Sequence, residues 1–386
     1  MSQSLGVPVI AGDLRDAPGG AEPQPSAPSS ASRDRQRSSH IAVALVALLR
    51  RVVGSVGVVL SVLTLTFLVT RVFAPDPTNL FLGAAGNGFV DAQAQAQARA
   101  KVRASLGLSD SLVHQYFRFL DQVLHGNLGT SFQTGRSVTS DLLTKLPATA
   151  ELAAFALIFG IVVGIGIGVV GAARPNGWLD RLGRLVTVSS LAMPQFWIGL
   201  MLLWVFFTKL HIAPGPVGRL PVGAAAPPHV TGFFVLDAPL DGDWTLMRTA
   251  LSHLVLPAIT LGLGLAGPIA KVVRTSMIES LASEYVRTAR ALGFGRRRIW
   301  FVYALKNGLL PTVTILAGII AYTFCGSILV EGVFGWPGVG NYALMAIQTS
   351  DFPAIQGFVV YAAILYVVIY EALGFVYTLV DPRARA

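Results

Sequence analysis

Charged residues, cysteine and catalytic motifs are all scarce in this chain. Only 13% of its 386 residues are charged, and Cys325 is the single cysteine, so neither a disulfide framework nor a cysteine metal site is expected. None of the six histidines stands at a chelating spacing on one helix face, and we predict no metal site. The sequence also contains no GxxxxGK[ST], HExxH or GxSxG motif. We therefore predict that the chain is not an enzyme, binds no cofactor and does not hydrolyse ATP by itself.

Apolar residues are abundant where charges are scarce. Hydrophobic side chains make up 53% of the chain, and its mean hydropathy is +0.62, which is typical of an integral membrane protein. The net charge of +9 by itself would suggest a nucleic-acid partner. The basic residues lie mostly in the short segments between apolar runs, however, so they indicate membrane topology and no nucleic-acid partner is expected.

The apolar runs predict six transmembrane helices in an all-α polytopic membrane protein. Arg50 and Arg51 set the start of the first run, because arginine is costly inside a bilayer. Gly160, Gly164 and Gly168 recur every four residues and predict close helix packing along the second run. The six predicted spans cover residues 52–72, 148–173, 185–208, 252–270, 312–329 and 357–380.

The basic residues predict that both termini are cytoplasmic. Residues 271–306 hold eight Lys or Arg against two Glu, whereas residues 333–356 hold no basic residue. This asymmetry predicts that the first segment is inside and the second outside. Residues 74–147 carry six basic residues on the predicted outer side, but long segments follow the charge rule poorly.

Four regions follow from these features. The first forty residues have too little apolar surface to offset the entropy of ordering them. The predicted regions are a disordered cytoplasmic tail (1–40), an elbow helix with the first span (41–73), an extracytoplasmic segment with amphipathic helices (74–147), and a five-helix core (148–386) that contains a cytoplasmic loop (271–311).

Prolines mark two of the predicted spans. Pro194 stands inside the third span, where it is expected to kink the helix and free backbone polar groups that face a cavity or a partner helix. Pro257 and Pro268 stand inside the fourth span and are expected to interrupt it.

Acidic residues in or near the spans need partners. A carboxylate as deep in a span as Glu371 is costly, so we expect it to face the bundle interior and to find a partner or carry a proton. Asp237, Asp241 and Asp243 lie in a Pro- and Gly-rich stretch between the third and fourth spans. They either meet an external partner or keep the loop solvated, and we expect solvation.

Residues 284–311, EYVRTARALGFGRRRIWFVYALKNGLLP, form a basic segment with helical periodicity. On charge alone, this segment is a positively charged loop that fixes topology. Its Thr-Ala pair, its Gly and its closing Gly-Leu-Leu-Pro also resemble the coupling loop of bacterial ABC importer permeases, which implies a short helix that docks on an ATPase subunit. The residues assigned to this docking are Glu284, Tyr285, Arg287, Thr288, Ala289, Arg290, Ala291 and Gly293.

Three residue types in this segment suit a helix that docks on another protein. Ala289 is expected to keep one face narrow enough for close approach to another protein. Gly293 is expected to end the helix or let the backbone turn. The arginines are able to pair with acids on a partner.

Four further strings resemble the dipeptide and oligopeptide branch of these permeases. They are HGNLGTSF at residues 125–132, SLAMPQFW at 190–197, VEGVFGWPGVG at 330–340 and VDPRAR at 380–385. The resemblance covers roughly residues 45–386 and implies the type I ABC importer permease fold.

Some residues of these strings, with Glu371, are candidates for the transport pathway or its gate. Glu331 either caps or pairs near the membrane interface or helps form an external gate, and Phe334 and Trp336 suit that interface. The candidates are Pro194, Gln195, Phe196, Trp197, Glu331, Phe334 and Glu371.

The resemblance also implies partners and a location. The chain is expected to be the permease subunit of an ATP-driven importer, embedded in the lipid of the bacterial cytoplasmic membrane. The implied partners are a second homologous permease chain, two ATPase subunits or one fused ATPase that hold ATP and Mg, and an extracytoplasmic binding protein. Di- or oligopeptides are the implied substrate, and nickel or another small solute is the alternative.

Overall fold

A computed structural model describes residues 30–73 and 110–380, together with residues 93, 97 and 100. The predicted tail up to residue 29, most of the predicted helical stretch between residues 74 and 109, and the last six residues lie outside this part. The chain divides at Gly54 into two units. The features described below belong to the second unit, which begins at Ser55, except for the part of the first helix that precedes it.

The first helix begins earlier than the sequence analysis expects. Helix α1 is Ser30–Phe73, so residues 30–40 are helical rather than disordered, and the expected elbow is part of the same helix. Arg, a good helix former, recurs at residues 33, 35 and 37 of this stretch, which favours that outcome. The portion apolar enough to cross a membrane is Val52–Arg71, close to the predicted first span.

The rest of the described chain contains further α-helices and two π-helices, joined by turns and loops. In chain order they are α2 (Leu112–Leu124), α3 (Val138–Ala173), α4 (Trp178–Ala192), α5 (Gln195–Leu202), π1 (Leu203–Lys209), α6 (Phe234–Leu240), α7 (Trp244–Ala282), α8 (Glu284–Ala291), α9 (Arg296–Arg298), π2 (Ile299–Ala304), α10 (Leu305–Gly308), α11 (Leu310–Gly326), α12 (Ile328–Phe334), α13 (Val339–Gln348) and α14 (Phe352–Val380).

Four of the described helices are long and apolar enough to cross a membrane, namely α1, α3, α7 and α14. Two bent pairs bring the number to six if each pair is one span. The first pair joins α4 to α5 and π1 at an angle of 113°, and the second joins α9–α10 to α11 at 44°. The predicted all-α membrane protein with six spans is confirmed in this sense, although the third span is broken rather than merely kinked.

The pair of α3 and α7 forms the centre of the bundle. A Cβ added at Gly160, Gly164 or Gly168 of α3 would lie 2.7–2.9 Å from atoms of α7, so the predicted close packing along this glycine ridge is confirmed. Pro257 and Pro268 do not interrupt α7, which continues through both. Packing against neighbouring helices lets a membrane helix tolerate proline.

Two hydrophobic clusters lie at different positions along α3 and α7. One groups Trp336 with Leu152 and Leu261, and it joins α3 and α7 to the segment after α12. The other groups Met277 with Ala304, and it joins α7 to π2. The second cluster therefore supports residues 283–309, which contain most of the predicted docking segment.

Candidate functional site

Helix α8 is the element that the sequence analysis assigns to docking. It follows α7 after a single residue, Ser283, which has an extended backbone. Residues 271–282, which the sequence predicts to be part of the loop, are the last turns of α7. The segment that leaves the long helix is therefore shorter than predicted, and we refer to it below as the 283–309 segment.

Only a narrow face of α8 is buried against the rest of the chain. Val286 is 0% exposed and Ala289 is 3% exposed, and residues three apart lie on the same side of a helix. The other helix residues, which are all exposed, are Glu284, Tyr285, Arg287, Thr288, Arg290 and Ala291. Ala289 therefore allows close approach to its own chain, and the expectation that it faces a partner protein is wrong.

Gly293 ends α8 in the predicted way. Its φ of 78° is left-handed, a conformation that favours glycine. The Gly293 N–H donates to the Arg290 carbonyl at 3.0 Å, and the Phe294 N–H donates to the Ala289 carbonyl at 3.2 Å. These two bonds form a Schellman motif, which satisfies carbonyls at the helix end and fixes the direction of the following chain.

The charges on α8 are held loosely. The Arg287 guanidinium lies 2.8 Å from a Glu284 carboxylate oxygen, but the two side chains are 67% and 83% exposed. An exposed pair of this kind contributes little to stability. The Arg290 guanidinium donates a long bond of 3.3 Å to the Leu281 carbonyl.

The chain beyond Gly293 returns to the bundle through aromatic packing. The Phe294 ring stacks on Tyr303, with centroids 5.7 Å apart, and the Arg298 guanidinium lies 4.5 Å from the Phe294 centroid. Gly308 then packs closely against Met277. A Cβ added to Gly308 would lie 3.3 Å from the Met277 side chain. The 283–309 segment is thus connected to α7 at both ends.

The first pathway candidate, Pro194, lies at the break between α4 and α5. Met193 has an extended backbone, and Pro194 is the N-cap of α5. Proline has no N–H and disfavours a helical conformation in the residue before it. The 113° bend is the physical consequence, and it is sharper than the kink that the sequence analysis predicts.

The broken helix formed by α4 and α5 packs closely against glycines of α7. A Cβ at Gly264 would overlap the Gln195 side chain, and one at Gly267 would overlap Ser190. Gln195 is accordingly half-buried, whereas Phe196 and Trp197 are 37% and 42% exposed. The structure therefore separates the candidates into one residue that packs inside the chain and two aromatic side chains directed away from it.

Glu331 lies in a fully buried polar cluster. It is 0% exposed and accepts hydrogen bonds from the Ser327 hydroxyl at 2.8 Å, the Thr149 hydroxyl at 2.9 Å and the Asn341 N–H at 2.8 Å. A Cβ at Gly338 would overlap its carboxylate. Of the two interpretations of Glu331, this geometry favours the pairing role over a gate open to solvent.

The aromatic residues near Glu331 are also buried. Phe334 is 4% exposed and Trp336 is 1% exposed, and the Trp336 indole N–H donates to the Ala148 carbonyl at 2.8 Å. Both side chains therefore pack inside the chain rather than against lipid. They connect the VEGVFGWPGVG string to the start of the apolar part of α3.

Glu371 has the partner that its depth requires. The Ser55 hydroxyl donates to its carboxylate at 2.8 Å, and the contact is partly buried. The expected partner of Glu371 is therefore Ser55, and the bond links α14 to α1 within the second unit.

The structure contains a buried ion pair that is not predicted from the sequence. Arg219 and Glu151 are 8% and 1% exposed, and their charged atoms lie 2.5 Å apart. The same arginine donates to the Gly232 carbonyl at 2.7 Å, and its guanidinium lies 3.4 Å from the Phe234 centroid. The Val235 N–H donates to Glu151 at 2.9 Å. The one signal of this pair in the sequence is an acid inside an apolar run, which needs a basic partner.

Asp237 belongs to the same region and is not a solvating residue. It is 1% exposed and accepts from the Thr231 hydroxyl at 2.6 Å and from the Gly232 N–H at 2.8 Å. Burial raises the pKa of Asp237, but these hydrogen bonds outweigh it and lower the pKa below its usual value. Asp243 caps α7 by accepting from the Leu246 N–H at 2.8 Å. The expected solvation is therefore wrong for Asp237, whereas Asp243 is exposed to solvent and caps α7 as well.

Sequence comparison identifies the family. Residues 160–386 match the profile of the binding-protein-dependent transport system inner membrane component family, and residues 44–153 match the N-terminal profile of the same membrane components. The chain belongs to this family. It is a multi-pass inner-membrane component of a binding-protein-dependent transport system, and the predicted extent of the resemblance is confirmed.

Curated relatives match over nearly their whole length. The probable D,D-dipeptide transport system permease protein DdpB of Escherichia coli (strain K12) is 39% identical over 330 residues, which is 86% of this chain and 94% of the relative. The dipeptide transport system permease protein DppB of the same strain is 32% identical over 340 residues, with coverage of 88% and 98%. The glutathione transport system permease protein GsiC of Pectobacterium atrosepticum is 32% identical over 337 residues, with coverage of 87% and 98%.

Proposed function

We propose that the chain is the permease subunit of an ATP-driven importer that takes up di- or oligopeptides. The observation that carries this proposal is the 39% identity to a D,D-dipeptide permease over 94% of that protein. Relatives named for dipeptides and for glutathione, which is itself a small peptide, support the same substrate class.

The energy for transport comes from separate ATPase subunits in this proposal. These subunits, two chains or one fused chain, hold ATP and Mg, and α8 docks on them. The exposure of six of the eight α8 residues supports this role, because a helix held by only two buried side chains leaves most of its surface for a partner. The side that carries α8, and with it both termini, is then cytoplasmic.

The movement of α8 reaches the bundle through two connections. Ser283 joins α8 directly to α7, and Gly308 packs on Met277 of α7. When the ATPases close on ATP, a displaced α8 pulls on both connections. We propose that this force tilts the bundle against a second homologous permease chain, which gives alternating access to the pathway between them.

The break between α4 and α5 is the proposed wall of this pathway. Phe196 and Trp197 are exposed in the isolated chain, and Gln195 fixes the position of the broken helix against Gly264. An extracytoplasmic binding protein delivers the peptide to the outer end. Glu331 and Phe334 act there through packing. Glu371 acts on the cytoplasmic side, through its bond to Ser55 near the start of the first span.

The substrate is tested by ATPase activity of the purified complex. The complex that copurifies with this chain is reconstituted in lipid vesicles with its binding protein and supplied with short peptides or with nickel. Stimulation by peptides alone is the expected result. Stimulation by nickel alone would retain the importer and replace the substrate, and failure to copurify any ATPase would contradict the proposal as a whole.

The docking surface is tested by a matched pair of variants. Thr288 of α8 and Thr144 of α3 are both exposed threonines whose hydroxyls bond to the carbonyl four residues earlier, at 3.1 and 2.8 Å. Thr288→Trp is expected to reduce the amount of ATPase that copurifies, because the added ring occupies the docking face. Thr144→Trp is expected to leave it unchanged, and equal effects of the two variants would contradict docking at α8.

A further inference from the structure

A basic pocket lies beside α8 where the helices α3 and α7 end. The cavity measures about 650 Å³, and three arginines line it, namely Arg174, Arg290 and Arg296. The remaining wall is apolar and includes Ile278 and Trp300. No acidic side chain is among the residues that line the pocket.

The charges of the three arginines are not neutralised by acidic side chains of the described residues. Among the residues that the structure describes, none of the three forms an ion pair within the chain, and all three side chains are exposed. The nearby acid is already engaged. Asp180 is 1% exposed, with one carboxylate oxygen 2.6 Å from the Arg274 guanidinium and the other 3.5 Å from that of Arg184. The pocket therefore combines three uncompensated positive charges with an apolar wall.

The position of the pocket matches a membrane surface. Arg174 is the C-cap of α3, and Ile278 lies in the last turns of α7. Both helices are long and apolar enough to cross a membrane. The apolar run of α3 continues to Ala173, so Arg174 directly after it lies at the depth of the lipid headgroups. The half-buried Trp300 suits the same depth, because tryptophan is enriched at the membrane interface.

We propose that this pocket binds an anionic phospholipid. The phosphate accepts hydrogen bonds from the arginines, whose planar guanidinium groups fit phosphate oxygens, and the upper acyl chain lies along Ile278 and Trp300. Basic pockets between the cytoplasmic ends of membrane helices bind such headgroups. A free phosphate ion or an acidic protein segment uses the charge but leaves the apolar wall without a partner. A bound lipid bridges α3 to α8 and α9, and so stiffens the base of α8.

The proposal is tested by lipid binding to the purified complex. Native mass spectrometry counts the phosphatidylglycerol and phosphatidylcholine molecules retained by the wild-type complex and by the variant Arg174→Gln/Arg296→Gln. The matched control is Arg181→Gln/Arg297→Gln, which removes two exposed arginines outside the pocket lining. The pocket variant is expected to bind phosphatidylglycerol about 30-fold more weakly, whereas the control and all phosphatidylcholine binding change less than about twofold.

Three outcomes would overturn the proposal. Equal losses in the two variants would mean that surface charge alone attracts the lipid. Thermal stabilisation of the wild-type complex by inorganic phosphate to the same extent as by phosphatidylglycerol would assign the pocket to a free anion. Loss of copurifying ATPase in the pocket variant, with lipid retention unchanged, would assign it to an acidic segment of the partner. Because retention of lipid does not depend on the transported substrate, failure here leaves the proposed peptide transport untouched.

Discussion

The two segments that flank α7 are attached to the bundle in opposite ways, one by buried charges and the other by buried apolar side chains. The 210–243 segment before α7 is rich in Pro and Gly but is held by charges that are buried, above all Arg219 against Glu151. The 283–309 segment after α7 is rich in arginine, yet its charges are exposed and two small apolar residues of α8 hold that helix to the chain. Polarity of sequence therefore does not indicate whether a connection is fixed or accessible.

The physical reason lies in the cost of burial. A buried ion pair is stable only while both partners remain, so the 210–243 segment is fixed in one position relative to α3. Exposed charges contribute little to the fold and remain free to meet another protein. The first arrangement suits a rigid connection and the second suits a movable one, and single substitutions distinguish the two.

The largest effect is expected for Arg219→Gln. Removal of the arginine leaves the Glu151 carboxylate buried without a counter-ion, which costs about 3 to 5 kcal/mol. We expect a sharp loss of folded protein, measured as the thermal unfolding midpoint and as the yield of monodisperse complex. The double variant Glu151→Gln/Arg219→Gln is expected to recover part of the loss. A single variant as stable as the wild type would show that the pair does not fix the segment.

A smaller effect is expected for Val286→Ala. Two methyl groups leave a site that is fully buried, which costs about 2 kcal/mol and loosens α8. Hydrogen exchange of residues 284–291 measures this loosening. Val302→Ala is the control because Val302 is 54% exposed. Faster exchange of α8 in the control, to the same extent, would contradict the two-residue attachment.

Gly293→Ala is expected to act through the backbone alone. An added Cβ meets no atom within 4 Å, but the left-handed φ of 78° costs a non-glycine residue about 1 to 2 kcal/mol. We expect the complex to assemble while peptide uptake into vesicles falls relative to ATP hydrolysis. Gly295 has equal space and a φ of −64°, so Gly295→Ala is expected to transport normally. Normal uptake by Gly293→Ala would remove the support for coupling through this turn.

The smallest effect is expected for Arg287→Gln. This substitution breaks an exposed ion pair with Glu284, and the free energy of unfolding is expected to change by less than about 0.5 kcal/mol. The thermal unfolding midpoint, measured beside that of Arg219→Gln, makes the comparison direct because the residue change is the same. A large shift for Arg287→Gln would mean that the 283–309 segment is also fixed by its charges.

The fold was largely predictable because its signals are local. Six apolar runs gave the number of spans, and the glycine repeat of α3 gave its close packing against α7. The boundaries were less accurate, since α7 continues through Pro257 and Pro268 and α3 begins at Val138 rather than near residue 148. Packing against neighbouring helices stabilises these extra helical turns, and no local sequence pattern shows which helices will be neighbours.

The candidate site was only partly predictable for the same reason. The left-handed turn at Gly293 follows from residue type, and the need of Glu371 for a partner follows from its depth in an apolar run. That Ala289 faces its own chain, that Glu331 accepts three hydrogen bonds and that Phe334 is buried depend on which elements pack against them.

The sequence by itself determined the membrane-spanning architecture, the basic segment after α7 and the family, because hydropathy, backbone restriction and motif identity are properties of short stretches. Only the tertiary structure decided that Arg219 pairs with Glu151, 68 residues away, that the bend at Pro194 reaches 113°, and that Arg174 joins Arg290 and Arg296 around one pocket. These arrangements depend on contacts between residues distant in the chain, and folding brings such residues together only when the helices pack.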